Sequence, residues 1–429
     1  MCPALLLLTL GFGTPLIFYS LTFWDHTLGV FFATLGICIL AWAIKHERRR
    51  AFGTAGLVLA VAVWNRPELY EFLAATGLAY VLIFGWSPST LQHGLYLGLG
   101  MVTGLVPLWT VNWRLYGNPL GLSAPGIVVL QQAQPHRALN QLYVATSFLT
   151  HGAPGRARSA ALALSLVLLI IVLRVPAMHQ PRLIVAAGLL CAAAYLPQMV
   201  FAQSYVLEGL LPTWPLLAFS FTYLDGDLRK VPRSTRLAPF VLLTTLLFVL
   251  LACLTSPVDG GLQWGPRYLL VAFPMLAVLA HRTLTRLSQL QISPGLQHAV
   301  WGVFLLLLVT GIGLQTLGLR QQYNRRETWF SARSAVLALP EEIIVTASSW
   351  FVLEMADLYY HKEFHYVASQ SSYQRLVDTL RTHNVARFAF IPLIPPAASP
   401  LQPVVRTATY HTRRLSGVRM EIVDGLGKN

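Results

Sequence analysis

LGVFFATLGICILAWAI (residues 28–44) runs straight into KHERRR (45–50). The first segment is uncharged throughout, and at 1.5 Å per residue it nearly spans the roughly 30 Å of hydrocarbon in a bilayer. The second is a basic cluster of the kind that marks the cytoplasmic end of a membrane span. Similar apolar runs recur along the chain, which a single cleaved signal peptide would not explain. They fall at 3–19, 28–44, 53–64, 68–86, 94–113, 160–175, 183–202, 209–224, 238–256, 266–281 and 298–318. The expected fold class is therefore a polytopic α-helical membrane protein of about eleven spans. The third run is short, so 53–64 and 68–86 read as a broken unit joined at Asn65–Arg66–Pro67, where Pro67 removes a backbone donor.

Composition agrees with this class. Of 429 residues, 55% are hydrophobic and only 11% charged, against about 25% charged in a soluble domain. The formal net charge is +14. Its basic loops (45–50, Arg174 and Arg182, Arg229 to Arg236, Arg282 and Arg286) all fall on one side if there are eleven spans. That side is expected to be the cytoplasm of a cytoplasmic (inner) membrane. No stripe of basic and aromatic residues forms a nucleic-acid groove, so nucleic acid is not an expected partner. Cys2, Cys38, Cys191 and Cys253 form no CxxC and read as small apolar residues.

After residue 322 the apolar runs shorten and charges become frequent. EIIVTA (342–347), FHYVA (364–368), ARFAFI (386–391), VVRTATY (404–410) and RMEIVD (419–424) read as strands. SWFVLEMADLYY (349–360) and SYQRLVDTLRTHN (372–384) read as helices. The alternation points to a small α/β domain, giving a division into 1–322 and 323–429. With eleven spans that domain is extracytoplasmic.

Polar residues gather on the same side: FWDH (23–26), NRPELYE (65–71), NWRLYGNP (112–119) and GGLQWGPRY (260–268). Ionisable groups at the membrane are costly and mark function by default. Asp25 reads equally as a helix N-cap or, with His26, as a ligand for a divalent metal or a phosphate-bearing substrate. Arg66 and Glu68 read either as an ion pair that steadies the break or as an arginine facing a cavity, suited by its fork of donors to an anionic head group. Trp264, Arg267 and Tyr268 are interface anchors or a phosphate and sugar-stacking site. Arg114, Tyr116 and Asn118 leave their span in the same style, whereas His151 and Glu208 are weak singletons and Glu71 and Asp259 complete the acidic residues of this side. No Walker loop, HExxH, GxSxG or strand-to-helix GxGxxG is present, which argues against nucleotide hydrolysis, zinc proteolysis and serine-hydrolase chemistry.

GTPLIFYSLTFWDHTLG (13–29), GLVLAVAVWNRPELYEFL (56–73), NWRLYGNPLG (112–121) and GGLQWGPRYLLVAFPMLAVL (260–279) resemble the GT-C superfamily of polyprenyl-phosphate-sugar-dependent glycosyltransferases, in particular bacterial members similar to dolichyl-phosphate-mannose protein mannosyltransferases. WGPRYL is the most specific of these motifs. The resemblance implies inverting transfer of a sugar from a polyprenyl-phosphate donor to an acceptor hydroxyl at the outer membrane face. The acceptor, whether lipid, glycan or protein, is not named by it. It implies catalytic and metal-binding roles for Asp25 and His26, with Mg or Mn as the divalent metal. Substrate and phosphate contacts are implied for Arg66, Glu68, Arg114, Trp264, Arg267 and Tyr268, and membrane lipids are further partners. Family members of this type carry an additional pair of spans, and their usual catalytic aspartate lies in the loop after the first. The expectation is that this chain begins at the equivalent of the third span and lacks that loop. A non-catalytic lipid-linked-glycan binding or assembly protein is the main alternative. A transporter or flippase should show inverted repeats, and no repeat is found.

Overall fold

The computed structural model describes residues 3–21, 26–121, 137–150, 156–201, 209–222, 236–256, 264–289, 293–348, 351–352, 355–383, 385, 387–391, 410–415 and 418–424. The chain divides into two compact units, Met1–Leu319 and Arg320–Asn429.

The first unit is helical. Its elements are α1 (Pro3–Phe12), α2 (Leu16–Leu21), α3 (His26–His46), α4 (Arg49–Asn65), α5 (Leu69–Phe84), α6 (Pro88–Tyr116), α7 (Arg137–Leu149), α8 (Arg156–Arg174), α9 (Pro181–Phe201), α10 (Leu210–Thr213), α11 (Leu217–Phe221), α12 (Leu237–Thr255), α13 (Ala272–Gln289) and α14 (Pro294–Leu337). Five described helices are long and apolar enough to cross a membrane: His26–His46, Pro88–Tyr116, Pro181–Val200, Leu237–Thr255 and Pro294–Asn324. Pro3–Phe12 and Leu69–Phe84 are shorter apolar helices. Helix α6 shows why this is a membrane protein. Leu91, Leu95, Leu99, Val102, Val106 and Trp113 form an exposed apolar stripe at helical spacing, while His93, Leu97, Gly104 and Leu105 face inward. A soluble helix would carry polar residues on that outer stripe.

Two apolar runs that read as continuous spans are broken in the structure. The run 3–19 is interrupted between α1 and α2, where the Thr14 hydroxyl donates to the Leu10 carbonyl and accepts from the Leu16 N–H. Pro15 lacks an N–H, so the helical ladder cannot pass through it. The run 209–224 is two short helices separated at Trp214–Leu216, again around a proline, Pro215. The break at Asn65–Pro67 forms as expected. Arg66 has extended backbone (φ −147°, ψ 115°), as the residue before a proline prefers.

Helices α4 and α6 touch backbone to backbone. A Cβ on Gly56 would overlap the Leu97 carbonyl oxygen, and one on Gly100 would overlap that of Gly53. Small residues at a helix interface give the close approach on which association in an apolar solvent depends.

The second unit carries a five-stranded sheet of order β2-β1-β3-β5-β4. Its strands are β1 (Ile343–Thr346), β2 (Glu363–Tyr366), β3 (Arg387–Ile391), β4 (Tyr410–Leu415) and β5 (Val418–Asp424). β1 is parallel to β2 and β3, with Ile344 opposite both Phe364 and Ala389, whereas β5 runs antiparallel to β3 and β4. The pleat separates two cores. Ile344, Ala389 and Ile391 pack with Ala332 and Val336 of α14 and with Phe351, Met355 and Leu358. Val345, Phe388 and Phe390 pack with Tyr373, Val377 and Leu380 of α15 (Gln370–Thr382). Ser369 caps α15 in a reciprocal pair with Ser372. The segment 349–360, read as one helix, ends in a 3-10 turn, Ala356–Tyr360, and residues 349, 350, 353 and 354 lie outside the described residues.

Candidate functional site

Three separate stretches of the chain supply charged or polar side chains to one end of the helical unit. The first turn of α3 carries His26, the turn between α4 and α5 carries Arg66 and Glu68, and a 3-10 turn at Arg267–Leu269 precedes α13.

The turn after α4 is the centre. Arg66 Nε donates to Glu68 Oε1 at 2.7 Å, and the side chains are 17% and 12% exposed. The Arg66 stem lies across the first turn of α3, where Gly29 leaves room for it: a Cβ there would stand 3.2 Å from Arg66 Cγ. One turn earlier on the same helix face, the His26 Nδ1 is 3.9 Å from Glu68 Oε1, and the ring is 3% exposed. Tyr19 of α2 meets the His26 ring edge-on at 5.1 Å between centroids.

The motif WGPR delivers the third stretch. Gly265 has φ +75°, a left-handed conformation that side chains avoid, and a Cβ there would collide with Pro15 at 2.7 Å. The turn therefore seats against the α1–α2 break. It sends Trp264 and Arg267 in different directions. Arg267 is close enough to act electrostatically on both His26 and Glu68. Its Nη2 donates to the Tyr268 hydroxyl at 2.8 Å, and the guanidinium lies over the Tyr268 ring at 4.8 Å. Phe148 of α7 packs on that ring at 5.8 Å. Helix α7 lies beside it in the fold. It buries Val144 and Phe148, and Gln141 Nε2 donates to the Ser256 carbonyl at 3.1 Å.

His26, Arg66, Glu68, Arg267 and Tyr268 thus form one cluster. Trp264 is turned away from it. The indole is 1% exposed, lies against Gly318, and donates to Gln315 Oε1 at 2.8 Å, while Gln315 donates to the Thr213 carbonyl at 2.9 Å. In this conformation the ring packs helices rather than presenting a stacking face. Arg114 is exposed on the last turn of α6, with no hydrogen bond or ion pair among the described residues. Asp25, His151, Glu208 and Asp259 lie outside the described residues.

Two residues gain a place that the sequence reading did not assign. Tyr19 carried no signal, being one aromatic residue in an apolar run. Glu71 was noted only as an acidic residue, yet it sits one turn after Glu68 on α5 and accepts from Thr255 Oγ1 at 2.9 Å. The i,i+3 spacing of the two glutamates was the available clue.

No group of three or more His, Cys, Asp or Glu side chains comes together among the described residues, and the buried His26 ring is held between Tyr19 and Glu68. The metal reading paired His26 with Asp25, which lies outside the described residues. The cluster instead offers two guanidiniums with a carboxylate, an imidazole and a phenol. Arginine forks in a site partly shielded from water are suited to phosphate oxygens.

Fold and composition define a helical membrane protein. No protein-family model, curated protein or solved structure matches the chain, so the role of the cluster rests on its own chemistry.

Proposed function

We propose that this chain is a membrane glycosyltransferase of GT-C type, with about eleven spans and an extracytoplasmic second unit. It moves a sugar from a polyprenyl-phosphate donor to an acceptor hydroxyl at the outer face of the cytoplasmic membrane. The observation that carries this reading is the convergence of Arg66 and Arg267 on His26 and Glu68 from distant parts of the chain. The motif WGPRYL, which carries the resemblance best, supplies Arg267 and Tyr268 to that cluster.

In this mechanism Arg66 and Arg267 bind the donor phosphate. The acceptor oxygen attacks the anomeric carbon as the bond from that carbon to the phosphate oxygen breaks. The electron pair leaves with the phosphate, where the guanidiniums stabilise the added charge. Glu68 orients Arg66. Asp25 and His26 act at the reacting end, with Asp25 the carboxylate that takes the acceptor proton.

The test uses the full chain reconstituted in phosphatidylcholine vesicles. Polyprenyl phosphate is the binding probe, and release of polyprenyl phosphate from its hexose conjugate in the presence of cell-envelope extract is the turnover readout. Arg267→Gln should weaken probe binding by roughly 10- to 100-fold, the scale of one lost charged hydrogen-bond set. Failure of the wild type to bind the probe overturns the reading. Binding without turnover favours the non-catalytic lipid-linked-glycan protein instead.

A further inference from the structure

The turn between α3 and α4 is the most strongly charged exposed patch described. Lys45, His46, Arg48, Arg49 and Arg50 are all exposed. The side chains of Lys45, Arg48, Arg49 and Arg50 make no hydrogen bond or ion pair among the described residues. Their arrangement is fixed by the backbone. Glu47 adopts φ +53°, and the Arg48 N–H closes the turn on the Ala43 carbonyl at 3.2 Å. The two helices beyond are locked together where Gly36 meets Leu59. The five basic side chains therefore radiate from a rigid hairpin.

These charges do nothing for the helix they begin. The first turn of α4 contains no acidic residue, and Arg49 and Arg50 lie at the positive end of its dipole, where cations are unfavourable. The segment 45–50 sets one acidic residue, Glu47, against four Lys and Arg, so a net positive charge is left to be balanced from outside the hairpin. Beside them, Trp42 on the last turn of α3 is 52% exposed, and its ring meets that of His46 at 5.0 Å. An exposed indole one turn inside the basic end of an apolar span is placed at head-group depth. An aromatic anchor below and a tight ring of cations above are complementary to an anionic phosphodiester whose acyl chains lie along α3.

We propose that this turn is a binding site for anionic phospholipid head groups, phosphatidylglycerol in chemical class, on the cytoplasmic leaflet. Arg48, Arg49 and Arg50 contact the phosphate, and Trp42 lies against the glycerol and upper acyl chain. The site is remote in sequence from the His26–Arg66–Arg267 cluster and does not depend on the glycosyl-transfer reading. It needs that α3 spans the membrane with this turn on the cytoplasmic side.

The experiment uses the full chain purified in non-ionic detergent, with short-chain phosphatidylglycerol as the probe and bound lipid counted by native mass spectrometry. Short-chain phosphatidylcholine and inorganic phosphate are the comparison ligands. R48Q/R49Q/R50Q should weaken phosphatidylglycerol binding on the order of 100-fold, since each basic residue near an anionic surface contributes about fivefold. R48K/R49K/R50K, which keeps the charge, should retain most of it, and phosphatidylcholine should bind wild type and variants alike. Wild-type binding should also fall as salt is raised, a readout that stands even if the neutralised variant does not fold. The proposal is overturned by equal binding of the two lipids, by unchanged phosphatidylglycerol binding in the neutralised variant, by salt-insensitive binding, or by displacement of the lipid by inorganic phosphate at equal concentration.

Discussion

Removing the Glu68 carboxylate should destabilise the helical unit, and removing Arg66 as well should relieve part of that loss. The pair is close (2.7 Å) and largely shielded, with the two side chains 17% and 12% exposed. Breaking a fully buried pair by deleting one partner costs about 3–5 kcal/mol, because the remaining charge is left without compensation. Here the residual exposure reduces the figure. In Glu68→Ala, Arg66 loses the Glu68 carboxylate while Arg267 still adds positive charge nearby, and a loss of about 2–3 kcal/mol is expected. Arg66→Ala leaves Glu68 without that donor and strips the stem from the first turn of α3, for a similar loss. In the double variant no uncompensated charge remains from the pair, so the cost should fall short of the sum by at least about 1.5 kcal/mol. The measurement is a double-mutant cycle of unfolding in detergent, followed by the far-ultraviolet helical signal. If the two single effects add within about 0.5 kcal/mol, the side chains are not energetically coupled and the cluster described above is not a unit.

Four other substitutions test the packing of the two units. Gly318→Ala places a Cβ against the Trp264 indole and should cost about 1–3 kcal/mol by overpacking, with a shift in tryptophan fluorescence. Trp264→Phe leaves the buried Gln315 Oε1 without its donor and should destabilise by about 1–3 kcal/mol in the same unfolding assay, with no need for a sugar ligand to reveal it. In the second unit, Ser369→Ala removes the N-cap of α15 and should lower stability by about 1 kcal/mol, visible as faster amide exchange in residues 370–382 of the full chain. A Gly100→Leu change forces α6 away from α4 at a backbone contact and should give a far larger loss than Gly98→Leu, which meets open space; equal effects in thermal unfolding would argue against that helix interface.

The sequence by itself determined the class of the protein and much of its local structure. Transfer into hydrocarbon is a free energy summed over neighbouring residues, so the apolar runs at 28–44, 94–113, 183–202, 238–256 and 298–318 each overlap a helix long enough to cross a membrane. The break at Pro67 was legible because the backbone before a proline is locally restricted. The strands at 343–346, 363–366, 387–391 and 418–424 were legible as short runs rich in β-branched and aromatic residues. Only the tertiary structure decided what the polar residues do. Arg267 and Trp264 are three residues apart and looked equivalent, yet one acts electrostatically on Glu68 and the other is packed against Gly318. Arg66 and Arg114 looked equally suited to phosphate, but only Arg66 is drawn into the cluster, through Gly29 and Glu68. Such outcomes depend on contacts between residues far apart in the chain, and no local sum of propensity or hydropathy contains them.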